Sequence, residues 1–395
     1  MRHDDHRRQE EATLTHSEIY RQLVVTLRKS GGFVSQRDLL YEALETADIQ
    51  YAPVAPVGEI AELWMVAIQL AESEDVAHVV AYLSTREMVE VVEQNRALRA
   101  NATVDDPLFW DQWALHKISA EAAWAKAVGA QAVVVAIIDT GICPPHPDLA
   151  AHLWTNAFGH HGFNVLTNTH HVADADGHGT LLAGTIGAVS NNTLGIAAAE
   201  WPIQLMAVKF HDVRTPPTAW NATVGIAWAV LQGARVINAS WDVGLPLVFL
   251  RFAIEFAGLA GTIVVAAAGN DGLDNDVLPT YPASYALPNV VSVMASDEGD
   301  DKPGFSNYGR TTVHLAAPGV RILSTHSYFV TPAWRYYSGT SAACAHVTNA
   351  AALLRAVRPA WTPHQVRQRL INTVDKSPWL SCLAEGRLNL ERAIP

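Results

Sequence analysis

Short apolar runs separated by helix-like segments are the feature that most constrains how this chain can fold. Five such runs, mostly rich in β-branched residues, occupy residues 133–138, 204–210, 236–239, 262–266 and 290–294. Their length and composition predict strands that are buried on both faces. Helix candidates lie between them at 179–188, 218–231 and 247–260, and two more follow at 340–357 and 362–371. The alternation predicts an α/β fold in which helices flank a parallel β-sheet on both faces.

The first hundred or so residues have a different pattern. Apolar and charged residues at helical spacing predict helices over 17–29 and 36–47, and two prolines predict a linker over 51–58. Strand candidates at 63–70 and 88–92 flank a helix candidate at 73–83, although one long helical stretch fits the same periodicity. We therefore expect a small N-terminal α/β or helical domain over 1–105 and a larger domain over 106–395.

Composition excludes several classes of partner. Apolar residues make up 49% of the 395 residues and charged residues 17%, which suits a large buried core and not a disordered chain. The net charge of −12 is opposite to what a phosphate-tracking surface needs, so we expect no nucleic-acid partner. No run approaches the roughly 20 apolar residues that span a bilayer, and we expect no membrane partner.

Cysteine usage and the N-terminal sequence favour a cytoplasmic protein. The three cysteines, Cys143, Cys344 and Cys382, are scattered without C-x-x-C spacing, unlike the dense frameworks of small secreted domains. The first twenty residues mix both charge signs and show no apolar segment typical of an export signal. We therefore expect a reducing compartment.

Asp139 ends the apolar run at 133–138 and is followed by Thr140 and Gly141. The carboxyl ends of strands are where sites form in open α/β sheets, although a solvated turn aspartate would have the same local sequence. An aspartic-protease dyad needs a second Asp-Thr-Gly or Asp-Ser-Gly, which this sequence lacks. Asp139 is therefore a candidate for a different kind of site.

His178 lies between Gly177 and Gly179, directly before an apolar helical stretch. A histidine at a helix start can present its imidazole at the edge of the sheet. A structural role is the commoner fate of a single histidine, and the chain contains 17 of them. The small residues on both sides are what distinguish His178.

Ser341 lies where a glycine-containing loop turns into the apolar helix predicted over 340–357. Its hydroxyl would feel the field of the helix N-terminus there, and backbone N–H groups nearby can stabilise a developing oxyanion. The alternative is that Thr340 or Ser341 simply caps the helix.

Asn270 follows the apolar run at 262–266 and a stretch of small residues. A side-chain amide at this place can donate to an oxyanion, or it can serve a tight turn. Each of the four segments is weak alone. Asp, His, Asn and Ser in this order and in these settings together predict nucleophilic catalysis by a serine.

At these four segments the chain resembles the subtilisin-like serine proteases. The family signatures D-T-G, H-G-T, G-N and G-T-S correspond to residues 139–141, 178–180, 269–270 and 339–341. Further matches at 236–240, 281–283, 305–309 and 317–319 extend the resemblance over about residues 106–372. The chain order Asp, His, Ser is that of subtilisin.

The resemblance implies a serine endopeptidase that acts on a protein or peptide substrate. By position, Ser341 is the nucleophile, His178 the general base and acid, and Asp139 the residue that orients and stabilises the imidazole. Asn270 and the Ser341 N–H would form the oxyanion hole. Two extended segments would pair with the substrate main chain, and Thr280 would lie near the first specificity pocket. These segments contain Ser240, Trp241 and Asp242 on one side and Ala267, Ala268 and Gly269 on the other.

The sequence departs from the family pattern at several positions. Leu181, Ala342 and Ala345 replace residues usual in the two helices, and none of these changes removes a catalytic group. Trp241 can narrow the substrate groove, and Asp242 stands where the family usually has glycine. We therefore expect Asp242 to favour a basic substrate residue before the scissile bond.

Calcium is common in the family, and Asp148, in the segment His-Pro-Asp-Leu, lies in a motif found near its metal sites. A calcium ion needs about six to eight oxygen ligands, and the loop at 188–196 looks too short to complete them. The sequence thus implies no required cofactor and leaves calcium open.

The resemblance also suggests a role for the N-terminal domain. Residues 89–100 are similar to the end of the propeptides that assist folding and occupy the active site of these enzymes. The length of the segment is also compatible with an interaction domain that binds the active site in cis or a partner protein. In both cases we expect it to restrain an intracellular, selective protease with a regulatory or maturation role.

Two other functions are open to a chain of this sequence. A catalytically silent scaffold would keep the fold and lose turnover, but all four catalytic positions are intact. A lipase or esterase would need Gly-x-Ser-x-Gly, which is absent around Ser341.

Overall fold

The computed structural model describes residues 21–54, 59–95, 104–127, 130–327 and 333–395. The chain divides into two compact units, Met1–Ala102 and Thr103–Pro395. The functions expected of the two domains stay predictions.

The N-terminal unit is an antiparallel sheet with two helices. Its described elements are β1 (Gln22–Leu27), α1 (Phe33–Thr46), β2 (Tyr51–Pro53), β3 (Glu59–Ile60), β4 (Met65–Leu70), α2 (Val76–Ser84) and β5 (Val89–Gln94). The strand order is β2-β4-β1-β5, and β3 also pairs with β4. Leu23, Val25 and Leu27 alternate onto the buried face of the sheet, where Leu40 and Leu83 of the two helices pack.

Two predictions for this unit are wrong. The helix expected over 17–29 is strand β1 from Gln22 onward, because the same apolar residues also fit a period of two and pair with β4 and β5 on either side. Residues 17–20 lie outside the described part. The linker expected over 51–58 begins with strand β2, an edge strand that tolerates Pro53; residues 55–58 again lie outside the described part.

The other predictions for this unit are confirmed. The helices expected over 36–47 and 73–83 form as α1 and α2, and the strands expected over 63–70 and 88–92 form as β4 and β5. The unit is therefore α/β, and the alternative of one long helical stretch is wrong.

The C-terminal unit is built around a nine-stranded sheet. Its described helices and longer strands are, in chain order, α3 (Trp113–Lys117), α4 (Ala120–Lys126), β6 (Val133–Asp139), β7 (Gly162–Asn164), α5 (His178–Gly187), β8 (Ile203–Lys209), α6 (Ala219–Leu231), β9 (Val236–Ala239), α7 (Val248–Leu259), β10 (Ile263–Ala267), β11 (Val290–Ser296), β12 (Leu315–Pro318), β13 (Ile322–Thr325), β14 (Trp334–Tyr337), α8 (Thr340–Val357), α9 (Pro363–Asn372), β15 (Asp375–Lys376), β16 (Gly386–Arg387) and α10 (Leu390–Ala393). The strand order is β15-β16-β12-β11-β10-β9-β6-β8-β7, and neighbours are parallel except β15 and β16. Strands β13 and β14 form a separate antiparallel hairpin.

Helices cover both faces of this sheet. In β6, Val135 and Ile137 belong to a core shared with α5 and α8, whereas Ala136 and Ile138 belong to a second core shared with α6 and α7. Successive residues of a strand point to opposite faces, so a strand buried on both sides needs a continuous apolar run. The α/β fold with a mainly parallel sheet between two helical layers is confirmed.

All five strands and five helices predicted for this unit form, with boundaries shifted by at most two residues. Strand β7, which has three residues, strand β12, whose Ala-Ala-Pro ending lacks β-branched side chains, and the four strands β13 to β16 were not predicted. Within the described ranges, no helix combines the length and apolar character needed to cross a bilayer.

The connections around β6 create a crevice at the carboxyl edge of the sheet. The chain passes from β6 to β8 on one side and then to β9 on the other, and β6 pairs with both. Ligands in open α/β sheets bind where the strand order reverses in this way. Asp139, the last residue of β6, lies at that point.

Candidate active site

Asp139 and His178 form a hydrogen-bonded pair at the carboxyl end of β6. His178 Nδ1 lies 2.8 Å from Asp139 Oδ1, and the Thr140 N–H donates to the same oxygen at 2.8 Å. Asp139 is 1% exposed, so it is not a solvated turn residue. Its Oδ2 is buried without a hydrogen-bond partner among the described residues. The charge of this carboxylate is therefore balanced chiefly by the imidazole.

The small residues around His178 are required by close contacts. Gly177 has φ = 100°, a left-handed conformation that glycine adopts readily, and a Cβ there would lie 2.4 Å from the His326 ring. A Cβ on Gly179 would lie 2.1 Å from the carbonyl oxygen of Gly141. The glycines thus allow the start of α5 to approach the end of β6.

The pair changes the pKa of both groups. Burial lowers the pKa of His178, but the charge of Asp139 and the hydrogen bond to it outweigh burial and raise that pKa to about 9. Burial raises the pKa of Asp139, and the interaction with His178 more than offsets it, so the carboxyl pKa lies below its ordinary value. At neutral pH the resting pair is therefore an imidazolium beside a carboxylate.

Ser341 is the second residue of α8, and its hydroxyl does not cap the helix. The N-cap is Gly339, without a side-chain hydrogen bond, so the capping alternative for Ser341 is wrong. Ser341 is 8% exposed, and its Oγ lies 3.5 Å from the carbonyl oxygen of Ser240. None of the hydrogen bonds of the described residues joins Ser341 to His178. The contact with Ser240 is longer than an ordinary O–H···O bond, so the hydroxyl is held weakly.

Sheet and helix packing bring Ser341 to the same edge as Asp139 and His178. Ser240 follows β9, the neighbour of β6, and Trp241 Nε1 donates to the carbonyl oxygen of Ile138 at 3.1 Å. Helices α5 and α8, which begin near His178 and Ser341, pack against each other. The neighbouring carboxyl ends of β6 and β9 thus bring the segment that contains Ser341 to the segments that contain Asp139 and His178.

Asn270 is fixed by the residue that precedes Ser341. Its Oδ1 accepts the Thr340 N–H at 2.9 Å and the Thr340 hydroxyl at 3.0 Å. Because this end of the side-chain amide accepts two hydrogen bonds, it is the oxygen. The NH₂ group, Nδ2, is then at the other end and can donate to a different acceptor. A Cβ built on Gly339 would lie 3.7 Å from Ser341 N and 3.8 Å from Asn270 Nδ2. The amide and the Ser341 N–H are therefore neighbours around one loop.

Asn307 is a positioning residue to which the sequence pattern assigned no role. Its Oδ1 accepts the N–H groups of Asp271 and Leu273, at 3.0 and 2.9 Å, and its own N–H donates to the Gly269 carbonyl at 3.0 Å. A Cβ on Gly269 would lie 2.4 Å from Asn307 Nδ2. Asn307 thus holds the loop that carries Asn270. The motif at 305–309 was the available signal, but the contact spans 36 residues along the chain.

The first predicted substrate segment is partly paired within the protein. Val243 exchanges two backbone hydrogen bonds with Tyr281, at 2.7 and 2.9 Å. The Trp241 indole is directed inward by its bond to β6, whereas Asp242 is exposed. Partial loss of solvation and the charge of Asp271 raise the pKa of Asp242. The like charge of Asp271 therefore acts on Asp242.

The second predicted segment follows β10. Ala267 ends the strand, the Ala268 carbonyl accepts from the Thr280 hydroxyl at 2.8 Å, and the Gly269 carbonyl accepts from the Thr340 hydroxyl at 3.2 Å. Thr280 is buried and its hydroxyl is used in this bond. The role of Thr280 in a specificity pocket stays a prediction.

Comparison with known proteins places the chain in a family. Residues 130–390 match the model of the subtilase family. The chain is 37% identical to thermitase of Thermoactinomyces vulgaris over 295 residues, which cover 74% of this chain and 99% of thermitase. It is 34% identical to subtilisin Savinase of Lederbergia lenta over 71% of this chain and 97% of that protein. A solved protease structure from Pseudoalteromonas arctica superposes with a TM-score of 0.65 at 28% identity, over 74% of this chain and 99% of that one.

The chain belongs to the subtilase family. It is a serine endopeptidase of the subtilisin-like type. Among the departures from the usual pattern, the three in the helices, Leu181, Ala342 and Ala345, are all buried apolar residues. They therefore alter packing within α5 and α8 and leave Asp139 and His178 paired.

Subtilases often bind calcium, and Asp148 is the ligand that the sequence offers. Its Oδ1 accepts from Asn192 Nδ2 at 3.1 Å, and its Oδ2 accepts from the Ile196 N–H at 3.0 Å and from Trp334 Nε1 at 2.7 Å. Burial raises the pKa of this carboxyl. Within the described ranges, no group of three or more His, Cys, Asp or Glu could hold a metal ion. Because N–H donors point at both oxygens, the arrangement around Asp148 does not fit a calcium ion.

Proposed function

We propose that this subtilase cleaves peptide bonds by attack of Ser341 on the substrate carbonyl. His178 accepts the serine proton and then donates it to the leaving amine, while Asp139 holds the imidazole and stabilises the imidazolium. The 2.8 Å contact between His178 Nδ1 and Asp139 Oδ1 carries the proposal, because it leaves Nε2 as the nitrogen that can face the nucleophile. Neutral His178 is the active base, so proton loss from the resting imidazolium precedes attack.

We infer that the Ser341 hydroxyl turns toward His178 to take this role. Its 3.5 Å contact with the Ser240 carbonyl is too long to hold the hydroxyl firmly. The proposal requires the hydroxyl to exchange that contact for one with the imidazole, and catalytic hydrogen bonds often tighten only when substrate binds.

The oxyanion of the tetrahedral intermediate would be stabilised by Asn270 Nδ2 and the Ser341 N–H. The support is the clamp of Thr340 on Asn270 Oδ1, which turns the donor end of the amide away from the helix. We expect Asn270→Ala to lower kcat by about 10²–10³, the loss seen when a subtilisin loses its oxyanion asparagine, with little change in KM.

A fluorophosphonate probe tests whether the chain turns over or is a silent scaffold. Wild type should be labelled, Ser341→Ala should not, and the neighbouring control Ser338→Ala should be labelled as wild type. Labelling with casein hydrolysis supports the peptidase. A folded wild type that neither reacts with the probe nor cleaves peptides would favour the scaffold.

We further propose that the enzyme is selective and prefers a basic residue before the scissile bond. The support is that Asp242 and Asp271 carry like charges near each other, so an arginine or lysine side chain would relieve their repulsion. At an exposed site, we expect a preference of roughly tenfold over a neutral residue.

Cleavage profiles of a peptide library test this preference. Asp242→Asn should reduce the selection for arginine and lysine without lowering kcat for neutral substrates. Asp301→Asn is a matched control, since Asp301 is an exposed aspartate with the same charge. The preference is refuted if wild type and Asp242→Asn select the same residues.

For the N-terminal unit we propose a restraining role toward the protease. The support is its compact α/β fold with a core of its own and the similarity of residues 89–100 to propeptide ends. Mass spectrometry of wild type beside Ser341→Ala tests self-processing: only wild type should lose about its first hundred residues. The cytoplasmic location and the regulatory or maturation role stay predictions.

A further inference from the structure

The outer face of α7 is apolar and uncovered by any described residue. Helix α7 packs on the sheet through Leu250, Ala253, Ile254 and Ala257. Its opposite face exposes five large apolar side chains, which are Val248 (63%), Phe249 (40%), Phe252 (63%), Phe256 (42%) and Leu259 (90%). We call this set the α7 face. At 100° per residue, these positions form one stripe along the helix.

Neighbouring residues extend the α7 face. Trp220 of α6 is 63% exposed and lies against Phe249, with ring centroids 6.2 Å apart. Leu231 at the end of α6 and Leu245 before α7 are 73% and 64% exposed. An apolar depression of about 610 Å³ between Leu259, Leu287 and Pro363 adjoins the end of the helix.

The area is large for a protein surface that meets only water. Since an aromatic side chain carries about 150–250 Å², the four exposed aromatic residues alone present roughly 400 Å². That already equals the largest apolar patch of a typical monomer. With the four aliphatic residues, the surface approaches the roughly 800 Å² that each partner contributes to a stable interface.

The sequence of α7 is complementary to itself when the helix is reversed. If the helix is turned end over end about a point near Ala253, Val248 takes the place of Leu259, and Phe252 takes the place of Phe256. Both exchanges hold to within about one residue, which is 1.5 Å of helix rise. The same reversal exchanges Arg251 with Glu255. These two charges lie 2.9 Å apart along one margin of the stripe and are 54% and 35% exposed.

A two-fold axis reproduces this reversal. In an antiparallel pair of helices related by such an axis, the same margin of each helix lies on the same side of the interface. Arg251 of one copy then lies beside Glu255 of the other, and this contact occurs twice. In this arrangement the apolar stripes of the two helices face each other, and each Arg251 faces a Glu255 of the other copy.

We propose that the α7 face is the interface of a homodimer, in which α7 packs antiparallel against α7 of a second copy. The apolar stripe supplies the buried area, and the two Arg251–Glu255 pairs fix the direction and register of the helices. Residues 240–247, which link the substrate crevice to α7, would then lie beside the interface.

Sedimentation or light scattering of the full chain, in the Ser341→Ala background to prevent autolysis, tests the proposal. The expected mass is twice 42.8 kDa at micromolar concentration. Phe252→Asp should weaken dimerisation by at least about 100-fold, because the buried charge enters the interface twice. Phe158→Asp is the matched control, since Phe158 is 84% exposed in the connection between β6 and β7, and it should remain dimeric.

Charge-reversal variants test whether the α7 face binds a second copy of this chain or a different partner. Arg251→Glu alone and Glu255→Arg alone each place like charges together twice, so each should be monomeric. Mixed in equal amounts, they should form a heterodimer, because every contact then joins opposite charges. Any of three results would overturn the proposal: a monomeric wild type, a dimer that Phe252→Asp does not affect, or charge variants that fail to associate on mixing. The same results are expected if another protein, or another part of this chain, covers the α7 face.

Discussion

Asp139 and Asp148 are two buried carboxylates of the same unit, and they differ in what neutralises them. Both are at most 1% exposed. Asp139 bonds an imidazole and one backbone N–H through the same oxygen, its other oxygen has no partner among the described residues, and its pKa is lowered. Asp148 bonds three uncharged N–H donors with both oxygens, and its pKa is raised. Equal burial therefore leads to opposite pKa shifts, because a charged partner offsets desolvation and neutral donors offset only part of it.

The difference separates the carboxylate that we propose for catalysis from one that holds the local structure together. Asp139 affects the proton affinity of its partner, which is what catalysis requires. Asp148 ties the start of the unit's first crossover to the loop at 192–196 and to β14, which is what stability requires. A change at Asp139 should therefore lower activity and spare stability, and a change at Asp148 should lower stability and spare activity.

Asp139→Asn should give the largest effect, a fall in kcat of about 10⁴, because an amide in this position favours the wrong imidazole tautomer. Active-site-titrated enzyme and a peptide substrate measure the rate. Asp148→Asn is the control and should keep kcat within about twofold. Equal losses of kcat in the two variants would contradict the difference in role between Asp139 and Asp148.

The pH dependence should change with Asp139 as well. In wild type, kcat/KM should rise with pH through about 9, since His178 must lose its proton to act as base. Without the negative charge of Asp139, burial lowers the pKa of the imidazole, and only the weaker effects of the Asp174 and Asp176 charges still raise it. The acidic limb of the residual activity in Asp139→Asn should therefore move to lower pH by more than one unit. An unmoved limb would show that Asp139 does not set the pKa of the base.

Stability should respond at Asp148. In Asp148→Asn the new amide hydrogens face at least one of the donors that the carboxylate accepted, and we expect a loss of about 1–3 kcal/mol in the free energy of unfolding. Trp334→Phe, which removes one donor, should cost less. Denaturant unfolding in the Ser341→Ala background measures both. A stable Asp148→Asn protein would contradict the structural role.

Calcium should give the smallest effect. A metal bound at 100 times its Kd would add about 2.7 kcal/mol to stability, whereas the N–H donors on both Asp148 oxygens predict a Tm in millimolar calcium within about 1 °C of that in EDTA. Scanning calorimetry decides between them. If calcium raises the Tm and Asp148→Asn abolishes the rise, Asp148 is a ligand after all.

The sequence predicted local features well and distant contacts poorly. The buried strands were evident because a run such as 133–138 must be apolar on both faces, and the glycines beside His178 marked a close approach of backbone. The stretch from Gln22 to Leu27 misled because its apolar residues fit both helical and strand periods, and pairing with β4 and β5 decides between them. The roles of Asn307 and Trp334 were not predicted, since their partners are distant in the chain and neither contact leaves a periodic pattern; the motif at 305–309 marked the place of Asn307 but not its contacts.

The bond between Thr340 and Asn270 has a consequence for how activity is lost. Since it fastens the strand-end loop to the first turn of α8, neither loop can drift without displacing the other. A molecule that opens locally here would displace together the Ser341 hydroxyl and the Asn270 amide that we propose for catalysis. Heating should therefore reduce the number of working enzyme molecules and leave the selectivity of those that still work unchanged.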